Sequence, residues 1–328
     1  MKSDVKILYL TDAVPDYLSD DLLYGLRSRL GGSVVDYPRK DVLYRNSSLK
    51  PAAHTLYGFG FHCFGLDDLS VDRTDILTKV STGYFDAIIN SSGWRIQCPT
   101  HPQLVVLDGE DHGRFSPHYV NQVPLYFKRE LFAPRYGVEP ILFSLPDFLH
   151  DDRVLPRVKR CHSSFRLNSP VRQEVGDAFP PSYSFTTWGE YLADIKHSWF
   201  ALSPKGAGYD CQRHYEILGQ AVLCIFLDTH APWLMQRHFV DGRNCLTFAT
   251  AAELTEKLQR CTNPQRLIDR AREDLLQYHL ASKRADQVLA TIAKCRLQSR
   301  PLSRWRRLEW RYWLYRRIPR HTRLQPAG

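Results

Sequence analysis

One stretch constrains this chain more than any other, the run from Trp199 to Glu216. Trp199-Phe200-Ala201-Leu202 is a short apolar run ended by turn chemistry, the signature of a buried strand. Ser203-Pro204-Lys205-Gly206-Ala207-Gly208 follows, and its two glycines open a loop where the backbone can take positive φ and a ligand can come close. Asp210 is the N-cap candidate for a helix over Cys211 to Gln220, with Tyr215 and Leu218 turned inward. A strand, a Gly-x-Gly turn and a helix N-terminus make an anion site, because unpaired N–H groups and the positive dipole end point at the ligand. Lys205 adds a full charge. Arg213 and Glu216, at i and i+3, share one helix face. Arginine grips phosphate and a carboxylate accepts both hydroxyls of a ribose, so the set suits a nucleoside diphosphate. Gly-x-Gly by itself is equally the mark of a plain tight turn.

Strand and helix patterns alternate along the rest. Val5 to Leu10 is a first strand, Leu18, Leu22, Leu23, Leu26 and Leu30 recur at helical spacing until Gly31-Gly32, and Val34 to Tyr37 is a second strand. That spacing begins a doubly wound α/β sheet. The first βα turn, Thr11 to Pro15, lacks Gly-x-Gly-x-x-Gly, which excludes a dinucleotide site there. Residues 40–72 are aromatic, aperiodic and carry His62; they read as a cover over the sheet edge, with substrate contact as the second reading. Ala87 to Asn90, Leu104 to Leu107, Val123 to Phe127 and Pro140 to Pro146 are further strands, followed by a linker from Pro146 to Pro156. Val158 to Cys161, Tyr183 to Phe185, Val222 to Leu227 and a short strand ending at Phe248 build a second sheet. Trp188 to His197 is a helix, Ala251 to Cys261 is one with a Thr250/Glu253 capping box, and 264–298 is a helical pair or one long helix. The domains are therefore 1–148, 149–298 and a tail over 299–328.

Ser-Pro-x-Gly-x-Gly-x-Asp-x-x-Arg-x-x-Glu, followed by the apolar strand Val222 to Leu227, resembles the nucleotide-sugar-binding half of exostosin-type glycosyltransferases and similar GT-B enzymes. The resemblance implies an α/β fold of two Rossmann-like domains facing a cleft, with a C-terminal basic aromatic helix. It implies a nucleotide-sugar donor held by Ser203, Lys205, Gly206, Gly208, Asp210, Arg213 and Glu216, the glutamate on the ribose. It also implies transfer to a glycan or lipid-linked acceptor without a metal cofactor. Where the family has a glycine and then a proline, this chain has Ala221 and Cys224. Ser163, Ser164 and Arg172 are further candidates beside the diphosphate.

Leu104 to Leu107 ends in Asp108-Gly109-Glu110-Asp111-His112, at the carboxyl end of a strand, where ligands of open α/β sheets bind. An acceptor hydroxyl needs a general base, so Asp108, Glu110 and Asp111 are the catalytic candidates; a solvated acidic turn is the other reading. Lys128 and Arg129 leave the next strand as a basic exit, read as a salt-bridged turn with phosphate contact second.

Eight scattered cysteines without a Cys-x-x-Cys pair argue against a structural zinc site or a disulfide framework and for a cytoplasmic protein. The N-terminus lacks a signal-peptide pattern. The net charge of +9 is uneven: residues 301–328 hold eight arginines and one acid, Glu309, which is +7 of it. Within Arg304 to Arg317 the arginines alternate with Trp305, Trp310 and Trp313. Such a helix can lie on an anionic membrane surface or pack back on the first domain. Nucleic acid ranks below both, since the body has neither a basic patch nor an RNA-binding motif. The alternative to an enzyme is a non-catalytic nucleotide-binding or membrane-peripheral protein on the same fold.

Overall fold

The structure, a computed structural model, describes residues 5–67, 71–181, 185–295, 297 and 301–317. Met1 to Asp4, most of the expected strand at Tyr183-Ser184-Phe185, and the tail arginines 320 and 323 lie outside the described residues. Two parallel sheets carry the chain. The first runs β1 (Ile7–Leu10), α1 (Tyr17–Leu30), β2 (Val34–Tyr37), α2 (Ile76–Thr82), β3 (Ala87–Asn90), β4 (Leu104–Asp108), β5 (Leu125–Lys128) and β6 (Val138–Pro140). Its strand order, β2-β1-β3-β4-β5-β6, reverses direction between β1 and β3. The second runs β7 (Val158–His162), α3 (Pro170–Ala178), α4 (Trp188–His197), β8 (Ser198–Ser203), α5 (Gln212–Ile217), β9 (Val222–Phe226), α6 (Trp233–His238), β10 (Leu246–Phe248) and α7 (Ala251–Arg260), ordered β10-β9-β8-β7. Strands β1, β3, β4 and β9 are buried along their whole length, as near-continuous apolar runs in helix-covered parallel sheets must be.

Two expectations change. The run 141–145 is not a strand, although it is as apolar as one. Its backbone turns to the second unit instead: Phe143 N–H donates to Asp210 Oδ2 at 2.8 Å and Ser144 O accepts from Gln212 Nε2 at 2.7 Å. It is apolar because it is an interface. The helix after the Gly-x-Gly loop is α5, with Cys211 rather than Asp210 at its N-cap position and no side-chain cap, and it stops at Ile217. Gly219 then turns the chain at φ +79° with the Arg272 backbone against it, a conformation that suits only glycine. Residues 264–295 form α8 (Pro264–Asp274), a π-helical turn at Leu275–His279, and α9 (Ala281–Cys295).

Helix α9 crosses from the second unit back to α1 of the first. Their approach is set by Gly25, where an added Cβ would stand 1.9 Å from the Ala281 carbonyl oxygen, in an element that cannot move aside cheaply. Gly25→Leu should therefore force the two helices apart and destabilise the protein by about 1–3 kcal/mol, read as a lower Tm. Helix α10 (Arg304–Arg317) also returns, seating Leu302, Trp310 and Leu314 in the core formed by Leu8, Ile88 and Val106 of the first sheet. Its opposite face is exposed to solvent, with Trp305, Leu308, Tyr312 and Tyr315 three to four residues apart.

Candidate functional site

The carboxyl ends of β1, β3, β4 and β5 face the β8–α5 loop across a cleft of about 400 Å³. Gly206, Gly208, Arg213 and Glu216 line it from the second unit, and Asp16, Arg95, Glu110, Asp111 and Arg129 from the first. The cleft thus brings together residues far apart in the chain.

Neither loop glycine has positive φ. Glycine is required for space instead: a Cβ on Gly208 would stand 2.5 Å from Glu130 Oε1 and 2.9 Å from Asp111 Oδ1, both of the first unit. One on Gly206 would sit 3.0 Å from Arg172 Nη2. The loop is pinned by Arg129, a fully buried side chain whose guanidinium donates to Asp210 O at 2.5 Å, Glu130 Oε1 at 2.9 Å, Gly109 O at 3.0 Å, and Asp111. Glu130 in turn accepts from Asp210 N at 3.0 Å. Burial would push the Arg129 pKa down, but Glu130, Asp210 and Asp111 hold it above the usual guanidinium value. The basic exit of β5 is therefore neither a solvated turn nor a free phosphate contact. It is the clamp between the two units.

That clamp changes several donor-side assignments. Asp210 is consumed structurally, its oxygens taken by Phe143 N and, at 2.8 Å, by Tyr215 OH. Lys205 directs its ammonium to the Tyr209 ring at 4.2 Å rather than into the cleft. Ser203 is wholly buried at the end of β8 and does not line the cleft. The cation beside Gly206 is Arg172 of α3, whose Nε donates to Lys205 O at 3.1 Å and Nη1 to Asn168 Oδ1 at 3.0 Å. Ser163 turns its hydroxyl onto Phe179 O at 3.0 Å.

Arg213 and Glu216 stand as the helical spacing predicts, together on the cleft wall. Glu216 Oε2 accepts from Tyr191 OH at 2.7 Å, and Oε1 lies 2.9 Å from Nε2 of His62. Burial would raise its pKa, but His62, Tyr191 and Arg213 hold the carboxyl below its ordinary value, so it is a carboxylate at neutral pH.

On the facing wall the acidic cluster divides. Asp108 is fully buried, paired with Lys128 Nζ at 2.8 Å, and accepts from Trp94 Nε1 at 3.1 Å and from Tyr126 OH. With its lone pairs so used and no opening to the cleft, it is a framework carboxylate rather than a base. Asp111 reaches the cleft but is paired with Arg129. Glu110 also reaches it; its N–H is fixed by Asp108 Oδ1 at 3.2 Å, and its carboxylate makes no ion pair among the described residues. Beside it, at the β1/β3 reversal where α/β sheets place their ligands, Arg95 bridges Asp12 and Asp16 at 2.7 Å each.

His62, Arg129 and Arg95 carry no motif. The one signal for Arg129 is its place at a strand's carboxyl end, and His62 is reached only through the length and aromatic content of its loop.

Residues 195–290, the segment spanning β8 to α9, match the family model described as glycosyl transferase-like. Among solved structures, the crystal structure of Anabaena HepE in complex with UDP aligns with a TM-score of 0.53 at 11% identity, covering 88% of this chain and 100% of that one. No curated protein matches. The structural likeness establishes the fold: two Rossmann-like α/β units facing a cleft, the GT-B architecture.

Proposed function

We propose that this protein is a glycosyltransferase of exostosin type, which moves a sugar from a nucleotide-sugar donor to a glycan or lipid-linked acceptor. The observation that carries this reading is the shared cavity: Arg213 and Glu216 of α5, within the glycosyl transferase-like segment, line it together with Glu110, which makes no ion pair among the described residues. The donor lies along the β8–α5 loop. Glu216 accepts the ribose hydroxyls, and Arg172 and Arg213 meet the diphosphate over the backbone of Gly206 and Gly208. The acceptor enters from the first unit, beside Asp16 and Arg95. Its oxygen bonds to the anomeric carbon as the bond to the diphosphate breaks; Glu110 takes the acceptor's proton and the leaving diphosphate keeps the electron pair. The two arginines supply the charge that the leaving group needs, so the reading calls for no metal ion. Incubating the protein with a panel of nucleotide sugars and following release of the nucleoside diphosphate tests it: release from one donor supports the reading, and no release from any, with or without oligosaccharide or lipid-phosphate acceptors, contradicts it.

The same reading puts the protein in the cytoplasm against an anionic membrane surface, met through α10. No helix among the described residues is long and apolar enough to cross a membrane. The solvent face of α10 pairs exposed aromatics with Arg304, Arg311 and Arg316, the composition of a helix lying at an interface. Each arginine contributes about 1 kcal/mol at such a surface, so reversing those three to Glu should lower partitioning to phosphatidylserine vesicles by ~100-fold. Co-sedimentation measures it. Equal sedimentation of both forms, or binding to RNA but not to vesicles, would remove the membrane from the account.

A further inference from the structure

The long segment between β2 and α2 does more than cover a sheet edge. It reaches the second unit and touches the residue assigned to the ribose. We propose that His62 is a positioning residue that reaches from the first unit to the second to fix the Glu216 carboxylate, so that the nucleotide site is complete only when the two α/β units are closed on each other. This rests on the donor reading of Glu216 given above.

Four observations place it. His62 is almost fully buried, and its Nε2 lies 2.9 Å from Glu216 Oε1, a contact between residues 154 positions apart. The ring is held edge-on by Tyr17 at 4.9 Å and Trp188 at 6.1 Å, one from each unit. Its neighbour Phe61 stacks on Tyr191, the other residue that holds Glu216, at 5.9 Å and 18°. The segment is also conformationally committed around His62: Phe59 and Phe64 both take positive φ, 54° and 62°, which bulky residues adopt only where the surroundings impose it.

Charge gives the contact its sense. His62 faces Asp21 and Tyr17 from α1, Glu216 from α5 and Trp188 from α4; Gln212 of α5 stands by Asp21, Arg213 of α5 and Tyr191 of α4 stand by Glu216, and Asp20, beside Asp21, is paired with Lys40 at 3.1 Å. Burial alone would lower its pKa, but the carboxylates of Asp21 and Glu216 raise it to about 9, so the ring is cationic at neutral pH. Asp21, whose Oδ1 lies 3.7 Å from His62 Nδ1, is raised to about 7 by burial, against the pull of His62. Because the folded value for His62 lies above the free value of 6.5, its contribution is complete below pH 6.5 and is lost as pH rises through 9. A carboxylate has about four acceptor positions, so Glu216 can hold His62 and Tyr191 and still take two ribose hydroxyls. Fixing it beforehand removes the ordering cost from the nucleotide's binding.

The test uses UDP, ADP, GDP and CDP as probes on the full chain, with two readouts. In the nucleotide-free protein, the His62 ring resonance, assigned by its loss in His62→Gln, should titrate near pH 9 and move down in Glu216→Gln. In calorimetry, His62→Ala should bind the accepted nucleotide about tenfold or more weakly, and His62→Gln, which keeps a donor, within about threefold of wild type. An ordinary midpoint near pH 6.5, a midpoint indifferent to Glu216→Gln, or wild-type affinity in His62→Ala would overturn the proposal. If the ring titrates as expected but wild type binds none of the four nucleotides, the donor reading fails and takes the positioning role with it. If wild type binds and only His62→Ala is unchanged, the donor reading stands and the inference alone falls.

Discussion

Glu110→Gln is expected to cut turnover by ~10²–10⁴-fold while leaving nucleoside diphosphate affinity unchanged. Three candidate acids follow β4, and their surroundings separate them. Asp108 is sealed in the first unit with Lys128, Trp94 and Tyr126 as partners, and Asp111 is held by the interdomain clamp through Arg129. Glu110 alone combines a place on the cleft wall with a carboxylate free of ion pairs among the described residues. Glutamine keeps its volume and leaves the buried frame untouched, so a lost rate would report the missing base and not a disturbed fold. Saturating-donor kinetics beside calorimetry separates the two effects. Full turnover in the variant would move the base elsewhere, with Asp16 the next carboxylate on that wall. Donor binding without turnover in the wild type would instead favour the non-catalytic nucleotide-binding reading.

Glu216→Ala is expected to weaken nucleotide binding by ~100-fold or more, since hydrogen bonds to a charged group contribute about 1.5–3 kcal/mol each and a ribose offers two. The substitution also leaves His62 without one of its two carboxylates. Glu216→Gln separates these causes. It keeps the shape of the side chain and removes the charge, so it should lose less affinity than alanine while still lowering the His62 midpoint. The Tm of both variants, measured without nucleotide, shows whether the fold has been disturbed.

Much of the scaffold is legible in the sequence because it follows local rules. β1 and β9 are unbroken apolar runs, β3 and β4 are apolar up to a polar last residue, and α4 begins and ends where Thr187, Glu190 and the strand after His197 set it. Arg213 and Glu216 are legible for the same reason: i, i+3 spacing dictates a shared face whatever the tertiary context. The misreadings occur where tertiary partners decide. The run 141–145 has the composition of a strand, but beyond Ile141 its hydrogen bonds go to Asp210, to Gln212 of α5, to His279 and to Arg284 of α9. The direction of Lys205 is set by Tyr209, and the fate of Asp108 by Lys128, contacts that no pattern along the chain encodes. His62 is the extreme case, since its meaning depends on a residue in the other unit.

The most direct test of the account is a calorimetric titration of the wild type and of Glu216→Ala with UDP, ADP, GDP and CDP. The account predicts that at least one nucleotide binds the wild type with a single-site isotherm, and that Glu216→Ala loses that binding while still melting in one cooperative transition, at a lower Tm because His62 and Tyr191 lose a buried partner. Equal affinity in both proteins, or no binding of any nucleotide to the wild type, would contradict the claim that this cleft is a nucleotide-sugar site.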